Sequence, residues 1–500
     1  ESPPEQLAAM GAAVGEFKTL IGDRSLAALA ELPACSDPQQ LLIQRLLLGA
    51  CTPAFFLSPT LMALLVMKLA TLSLRHGNTE VTSYAHVSYA VIAGNVLGNY
   101  AEAYEFGQLG LAINKKFNNY ALECRLNGLF AGFINIYQRP LHSSLDYLQA
   151  GIKAGLETGD FTFVGYCCFH IITQLLGAGD ELATVSQEID RLLMVARRAR
   201  EPFAIATLQV VQQAILNLSG QLASVDTLSG RDFDEEKFLA SIQQTEFTTL
   251  ECLYYSIKLQ LAYLYRNYEA AQQWLGRALS RVAGAMGLHF VTDLHFYGCL
   301  TLAALGHLPS DEPGPGSMLT SLLRQMELWA KSCPANYRHK HVLVLAELAR
   351  LRGGYGEALD LYDQAIALAQ QSEFGHHAAL GSELCGRFLQ KQGRSRLASV
   401  YIRDAYYGYE RWGATQKLTQ LAAEHPSLQR DVLLHTSREP VSPTVTTSSS
   451  LTASSFLDLA TVLHAAQSIA SEIVLDRLLE QVLRLVAANA GAQRGFLLLD

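Results

Sequence analysis

The sequence predicts an all-α protein, an array of antiparallel helix pairs that gives way, after a linker, to the truncated opening of an α+β domain. Three observations predict it. Apolar residues recur at helical spacing through most of the chain, a hairpin turn returns every 40 to 47 residues, and composition changes sharply near residue 442.

The chain has ample material for a core. Of its 500 residues 50% are hydrophobic and only 17% charged, against roughly 25% charged in an average globular chain. A net charge of −8 excludes a nucleic-acid surface as the main business, because neutralising phosphates takes clustered Lys and Arg. The densest basic stretch, "ARRAR" at 196–200, ends the helical run "SQEIDRLLMVARRAR". Cations there complement the helix dipole.

Residues 1–40 form a helical opening segment and residues 41–430 the repeat region. Within it, "AFFLSPTLMALLVMK" at 54–68 is the longest apolar stretch. At well under about 20 residues it is too short to span a bilayer and is expected to be a buried helix.

The repeat is clearest in "GGYGEALDLYDQAIALAQ". Ala358, Leu361, Tyr362, Ala365 and Ala369 fall on one helix face, and "HVLVLAELARLRGG" supplies a partner helix ending at Gly353 and Gly354. Tyr precedes Ala by three residues in three such turns: Tyr100 and Ala103, Tyr268 and Ala271, Tyr355 and Ala358. Weaker copies lie at Leu141, Leu182, Leu222 and Ser395, and a degenerate one with its turn expanded by Pro and Gly at Leu308. One αα-hairpin cannot cover its own apolar face, whereas stacking it on the next one can. Small Ala residues allow close approach, Tyr caps each pair, and repeats contact chiefly their neighbours in an elongated superhelix.

The linker spans residues 431–455. From Ser442 to Ser455, ten of fourteen residues are Ser or Thr, the composition of a flexible connector. Beyond it, residues 456–500 become helical again. "VLDRLLEQVLRLVAANAGA" carries a clean apolar stripe, and "RGFLLLD" reads as a first strand that the chain then leaves unfinished. With Glu1 at the other end, the chain is expected to be a piece of a larger protein.

No catalytic or binding residue is assigned. The nine cysteines show no C-x-x-C spacing and fall on apolar helix faces, as buried free thiols do. His339 and His341 are two residues apart and His376 and His377 adjacent. Neither spacing shares a helix face, so no metal site is expected. "RDFDEEKF", with Asp232, Asp234, Glu235 and Glu236, reads as a solvated loop and helix start, and His464 as an exposed face position rather than a phosphoacceptor. Tyr254, Tyr255, Tyr263, Tyr265 and Tyr268, then Tyr401, Tyr406, Tyr407, Tyr409 and Trp412, suit either gripping a partner or packing between repeats, with packing favoured.

The G-x-Y-x-x-A core of the turns resembles tetratricopeptide repeats, whose usual period is about 34; the array is a longer, irregular relative. The segment "LDRLLEQVLRLVAANAGAQRGFLLLD" resembles the opening of a GAF domain, a sensor module of signalling proteins. "SFLDLATVLHAAQSIASEIVLDRLL" and the repeat segments "LSLRHGNTEVTSYAHVSYAVIAGNVLGNYAEAYEFGQLGLAI" and "AGLETGDFTFVGYCCFHI" resemble one family of large bacterial signalling kinases. Those proteins join a Ser/Thr kinase domain, an AAA/STAND-type ATPase, a helical repeat region, a GAF domain and often a histidine kinase.

The resemblance implies a non-catalytic connector and interaction scaffold in the cytoplasm, following an upstream ATPase. Its partners would be proteins or neighbouring domains, not nucleic acid or membrane, with oligomerisation through the GAF lead-in helix. No cofactor is expected within these residues, while ATP and Mg belong to the parent's other domains. The phosphate-cradling G-x-x-x-x-G-K motif and the kinase H-R-D and D-F-G motifs do not occur. The rival expectation is the ligand-sensing repeat region of an ATPase-type transcription regulator, and a third is that the helical segment is itself an enzyme.

Overall fold

The computed structural model of the chain describes residues 3–426 other than Glu246. It divides into a unit from Glu1 to Arg430 and one from Asp431 to Asp500. The expected linker from 431 on, the GAF opening and His464 lie outside the described residues.

The first unit is all-α. Its helices are α1 (Pro3–Ile21), α2 (Leu26–Ala30), α3 (Pro38–Leu57), α4 (Pro59–His76), α5 (Thr82–Asn95), α6 (Tyr100–Phe117) and α7 (Glu123–Phe133). Then follow α8 (Leu145–Thr158), α9 (Phe161–Ala178), α10 (Leu182–Ala199), α11 (Pro202–Leu218), α12 (Glu235–Gln244), α13 (Thr248–Leu264) and α14 (Tyr268–Leu279). The last are α15 (His289–Ala304), α16 (Pro315–Ser332), α17 (Pro334–Leu351), α18 (Tyr355–Gln371), α19 (Gly375–Lys391), α20 (Ser395–Trp412) and α21 (Thr415–Glu424). Among the described residues there is no β-strand, only two isolated bridges.

The turns have one construction. A residue in the left-handed region ends one helix, one further residue follows, and the next helix begins. Gly98 stands two residues before Tyr100, Gly353 before Tyr355 and Gly393 before Ser395. Arg266 takes the same conformation before Tyr268, with φ +66°. The left-handed residue reverses the chain while its N–H and the next one satisfy carbonyls of the last helical turn. Asn99 and Asn267 cap the following helices, accepting from Glu102 N at 3.3 Å and Ala270 N at 3.2 Å. Ala103, Ala271 and Ala358 are buried, as close packing requires.

Leu182 starts α10, whereas Leu141 starts a 3₁₀ turn that leads into α8. Gly220 and Gly306 are left-handed two residues before Leu222 and Leu308, but irregular connections follow and helices resume only at Glu235 and Pro315. Tyr355 is 38% exposed, so the turn tyrosine is not a uniform cap.

The stretch 54–68 is not one helix. α3 ends at Leu57 and α4 begins at Pro59, with Ser58 accepting from Leu61 N at 3.3 Å. Pro has no N–H to give to a helix interior, so it starts a new one. Among the described residues one helix is long and apolar enough to cross a membrane, α9, and most of it is buried inside the fold.

Two hydrophobic cores run through the unit, one from Met10 to Ile134 and one from Tyr100 to Leu421. Contacts are not confined to neighbouring hairpins. Trp329 Nε1 of α16 donates to Tyr100 Oη at 2.9 Å, and Asn336 Nδ2 of α17 donates to the Ile136 carbonyl at 2.7 Å. The Lys417 ammonium of α21 donates to the Leu264 carbonyl of α13 at 2.8 Å. The array doubles back on itself because helix ends and polar side chains far apart in sequence satisfy one another.

Candidate functional site

The polar centre of the doubled-back array is built where four helices meet. α9 ends on Gly177 and Ala178, with Gly179 just after it; α15 opens with His289 and carries Asp293 one turn on; α17 carries His339 and Lys340; α19 has His376 and His377 in its first turn. His289, His339, Lys340, His376 and His377 are all 3% exposed or less. Sequence spacing separates these histidines, and helix packing reunites them.

The imidazoles seat in glycine notches. A Cβ on Gly179 would lie 1.7 Å from His376 Nδ1, and one on Gly177 2.2 Å from His289 Cε1. The same device recurs outside the centre, where a Cβ on Gly132 would lie 2.2 Å from His170 Cε1. Only glycine leaves room for a ring against the backbone at such positions.

Within the centre His339 Nε2 and His377 Nδ1 share a hydrogen bond of 2.9 Å, one donating and the other accepting. The His376 and His377 rings stand 3.8 Å apart, Phe374 lies parallel to His377, and Trp412 of α20 flanks His376 at 5.1 Å. Lys340 Nζ donates to Asp293 Oδ1 at 2.6 Å and lies over the rings of Tyr337 and Phe374. A cavity of about 20 Å³, lined by Thr173, Gly177, Ser256, Gln260, Phe290 and Asp293, adjoins the ion pair. It has room for about one water.

Burial holds His289 at about 4 and His376 at about 3, and His339 and His377 well below the ordinary histidine value. Position adds to burial, since His289, His376 and His377 lie in first helical turns, where the dipole disfavours a cation. Neither nitrogen of His289 makes a hydrogen bond, Asp293 Oδ2 standing 3.9 Å from its Nδ1. His339 Nδ1, His376 Nδ1 and His377 Nε2 are likewise unpartnered. The centre therefore holds neutral proton acceptors beside a satisfied Lys–Asp pair. Among the described residues no group of three or more His, Cys, Asp or Glu could hold a metal ion.

A second polar cluster closes the C-terminal end. Lys417 is fully buried and donates to Glu383 at 3.0 Å, while Arg387 binds Glu383 at 2.9 Å and Glu424 at 2.6 Å. Burial would raise the Glu383 carboxyl, but Lys417 and Arg387 together pull it down to about 2. Tyr409 donates to the same carboxylate at 2.7 Å, and Arg266 reaches Glu424 at 3.1 Å.

Arg197 and Arg198 occupy the last turn of α10. Asp234 caps α12, accepting from Lys237 N at 3.0 Å, but Glu235 is not a solvated residue. It is packed inward, binding Lys258 at 2.9 Å and accepting from Tyr254 at 2.7 Å and from Leu228 N at 2.8 Å. Tyr254, Tyr255, Tyr263, Tyr409 and Trp412 are buried in the packing, and all nine cysteines are free thiols. Compared with protein-family models and with curated proteins, the chain matches no family model and no curated protein.

Proposed function

We propose that this chain is a non-catalytic connector and protein-interaction scaffold within a multidomain, cytoplasmic bacterial signal-transduction kinase. Its helix pairs form a tetratricopeptide-like superhelical array that couples an upstream ATPase and Ser/Thr kinase part to a downstream GAF sensor and a histidine kinase. The observation that carries this reading is the recurring turn, in which helices start at Tyr100, Tyr268, Tyr355 and Ser395 behind left-handed residues. Such an array transmits force and offers surface rather than chemistry. The resemblance of "LDRLLEQVLRLVAANAGAQRGFLLLD" to a GAF opening and the missing phosphate-binding and kinase motifs support it. ATP and Mg would act on the other domains of the parent.

The test is the genomic reading frame around these residues, followed by limited proteolysis of the whole product with ADP and with a non-hydrolysable ATP analogue. A P-loop upstream, a completed GAF sheet downstream, and nucleotide-dependent cleavage within 427–455 are the expected results. A frame without either domain, or cleavage indifferent to nucleotide, overturns the reading.

A further inference from the structure

The last three helices are seated on helices more than a hundred residues earlier in the chain. His376 of α19 fills the Gly179 notch at the end of α9, and a Cβ on Gly413, just after α20, would meet Leu182 of α10 at 3.5 Å. A Cβ on Gly220, at the end of α11, would lie 3.0 Å from Gln416 Oε1 of α21. Lys417 holds the Leu264 carbonyl and Arg266 holds Glu424. The inner face of this seat is the imidazole cluster.

The groups facing the cluster offer an added proton a single anionic neighbour, Asp293, whose Oδ2 lies 3.9 Å from His289 Nδ1 while Lys340 holds its Oδ1. α15 presents His289, Asp293 and the Tyr297 ring; α17 presents His339, Lys340 and the Tyr337 ring; α19 presents His376 and His377 themselves. α9 presents the backbone of Gly177 and Gly179, α20 the ring of Trp412, and α13 the neutral Ser256 and Gln260 around the cavity. Asp293 is the one carboxylate among these groups, and Lys340 already holds it at 2.6 Å. A proton on His376 or His377 thus meets an adjacent ring at 3.8 Å, the positive end of α19 and the Lys340 ammonium.

We propose that α19–α21 is an acid-released closure: protonation of the imidazole cluster expels His376 from the Gly179 notch and lifts the three helices off α9, α10, α11 and α13 while α18 retains them. The release would loosen the end of the unit from which residues 427–500 continue. This device stands whether or not the chain is a signalling connector.

Hydrogen exchange read by mass spectrometry on the full 500-residue chain, at pH 7.5, 6.5 and 5.5 with intrinsic rates corrected, tests it. At one unit below the ordinary histidine value, opening gains about tenfold for each imidazole it frees. Peptides of α19–α21 are expected to lose at least tenfold protection at pH 5.5 while those of α8 and α12, which carry no histidine, hold. Unchanged protection in α19–α21 overturns the proposal, and so does a simultaneous loss in every helix, which is global acid unfolding. His377→Gln, which keeps hydrogen-bonding capacity without titrating near neutrality, is expected to reduce the pH effect about tenfold. If it folds and keeps the full wild-type response, the cluster is not the trigger. Gly179→Ala is expected to expose α19–α21 already at pH 7.5; normal protection there also overturns the seat. The wild-type profile alone decides if neither variant folds.

Discussion

Replacing Gly179 with Ala, beside the control Gly159→Ala, isolates the histidine notch. Both glycines follow a helix in the left-handed region, with φ +79° at Gly179 and +82° at Gly159. An alanine there costs about 1–2 kcal/mol in either place. The surroundings differ. A Cβ at Gly159 meets nothing within 4 Å, whereas at Gly179 it would lie 1.7 Å from His376 Nδ1 and 2.4 Å from Cε1. That ring must move, adding an overpacking cost of about 1–3 kcal/mol. The totals are about 1–2 kcal/mol for Gly159→Ala and about 2–5 kcal/mol for Gly179→Ala. Across the 430 residues of the unit, an unfolding entropy of about 2.1 cal/mol/K per residue amounts to about 0.9 kcal/mol/K. Differential scanning calorimetry should therefore show a Tm drop of about 1–2 °C for the control and about 2–6 °C for Gly179→Ala. His376→Ala in the Gly179→Ala background should recover the excess, since the two residues share one space. Equal drops for the two glycine variants, or an additive double mutant, refute the notch.

Glu383→Ala strands the buried Lys417 ammonium with carbonyl partners and is expected to cost about 3–5 kcal/mol, whereas Lys417→Met with Glu383→Leu should lose less than the single variant; thermal melts compare them. Burial lowers His86 to about 4, His170 to about 3 and His295 to about 4, alongside His289 and His376. Because the unfolded chain binds the protons that the folded one refuses, stability is full above about pH 6.5 and falls toward pH 4. The slope is about 1.4 kcal/mol per pH unit for each histidine, and a Tm unchanged from pH 7.5 to 5.5 contradicts it. Burial raises the Cys51 thiol to about 11 and those of Cys168, Cys252 and Cys385 to about 12, and only Cys35 is not buried. Ellman's reagent should thus find about one fast thiol in the native chain and nine after denaturation; three or more fast thiols contradict the packing.

The local grammar of the fold was legible in the sequence, because helix starts and stops are decided by nearby residues. Tyr100, Tyr268, Tyr355 and Ser395 begin helices since a left-handed residue stands two positions earlier, and glycine supplies it in three of the four turns. Arg266 hid the same conformation behind an ordinary side chain. Leu222 and Leu308 kept the turn but not the helix after it. The polar centre was not legible, because helical periodicity describes one helix at a time. His339 and His377 share a bond across two helices, and His376 meets a glycine 197 positions away. A signal was present: two histidines opening the apolar run "HHAALG" and a third opening "HFVTDL" stand where a solvated helix face would carry charge. Glu235 misled for a related reason, its carboxylate being drawn inward by Lys258, a residue in a different helix.

The doubling back of the array also governs how the chain matures on the ribosome. Tyr100 and its partner Trp329 are 229 residues apart. At roughly 5–20 residues per second, the first waits about 10–45 s for the second to be made. During that interval the apolar face that α16 and α17 will cover around Tyr100 and Tyr137 is open to water or to a chaperone. Stalls late in translation would leave nascent chains with formed N-terminal helices and a sticky flank, so silent codon changes between α9 and α19 are a lever on yield that no contact in the finished molecule would reveal.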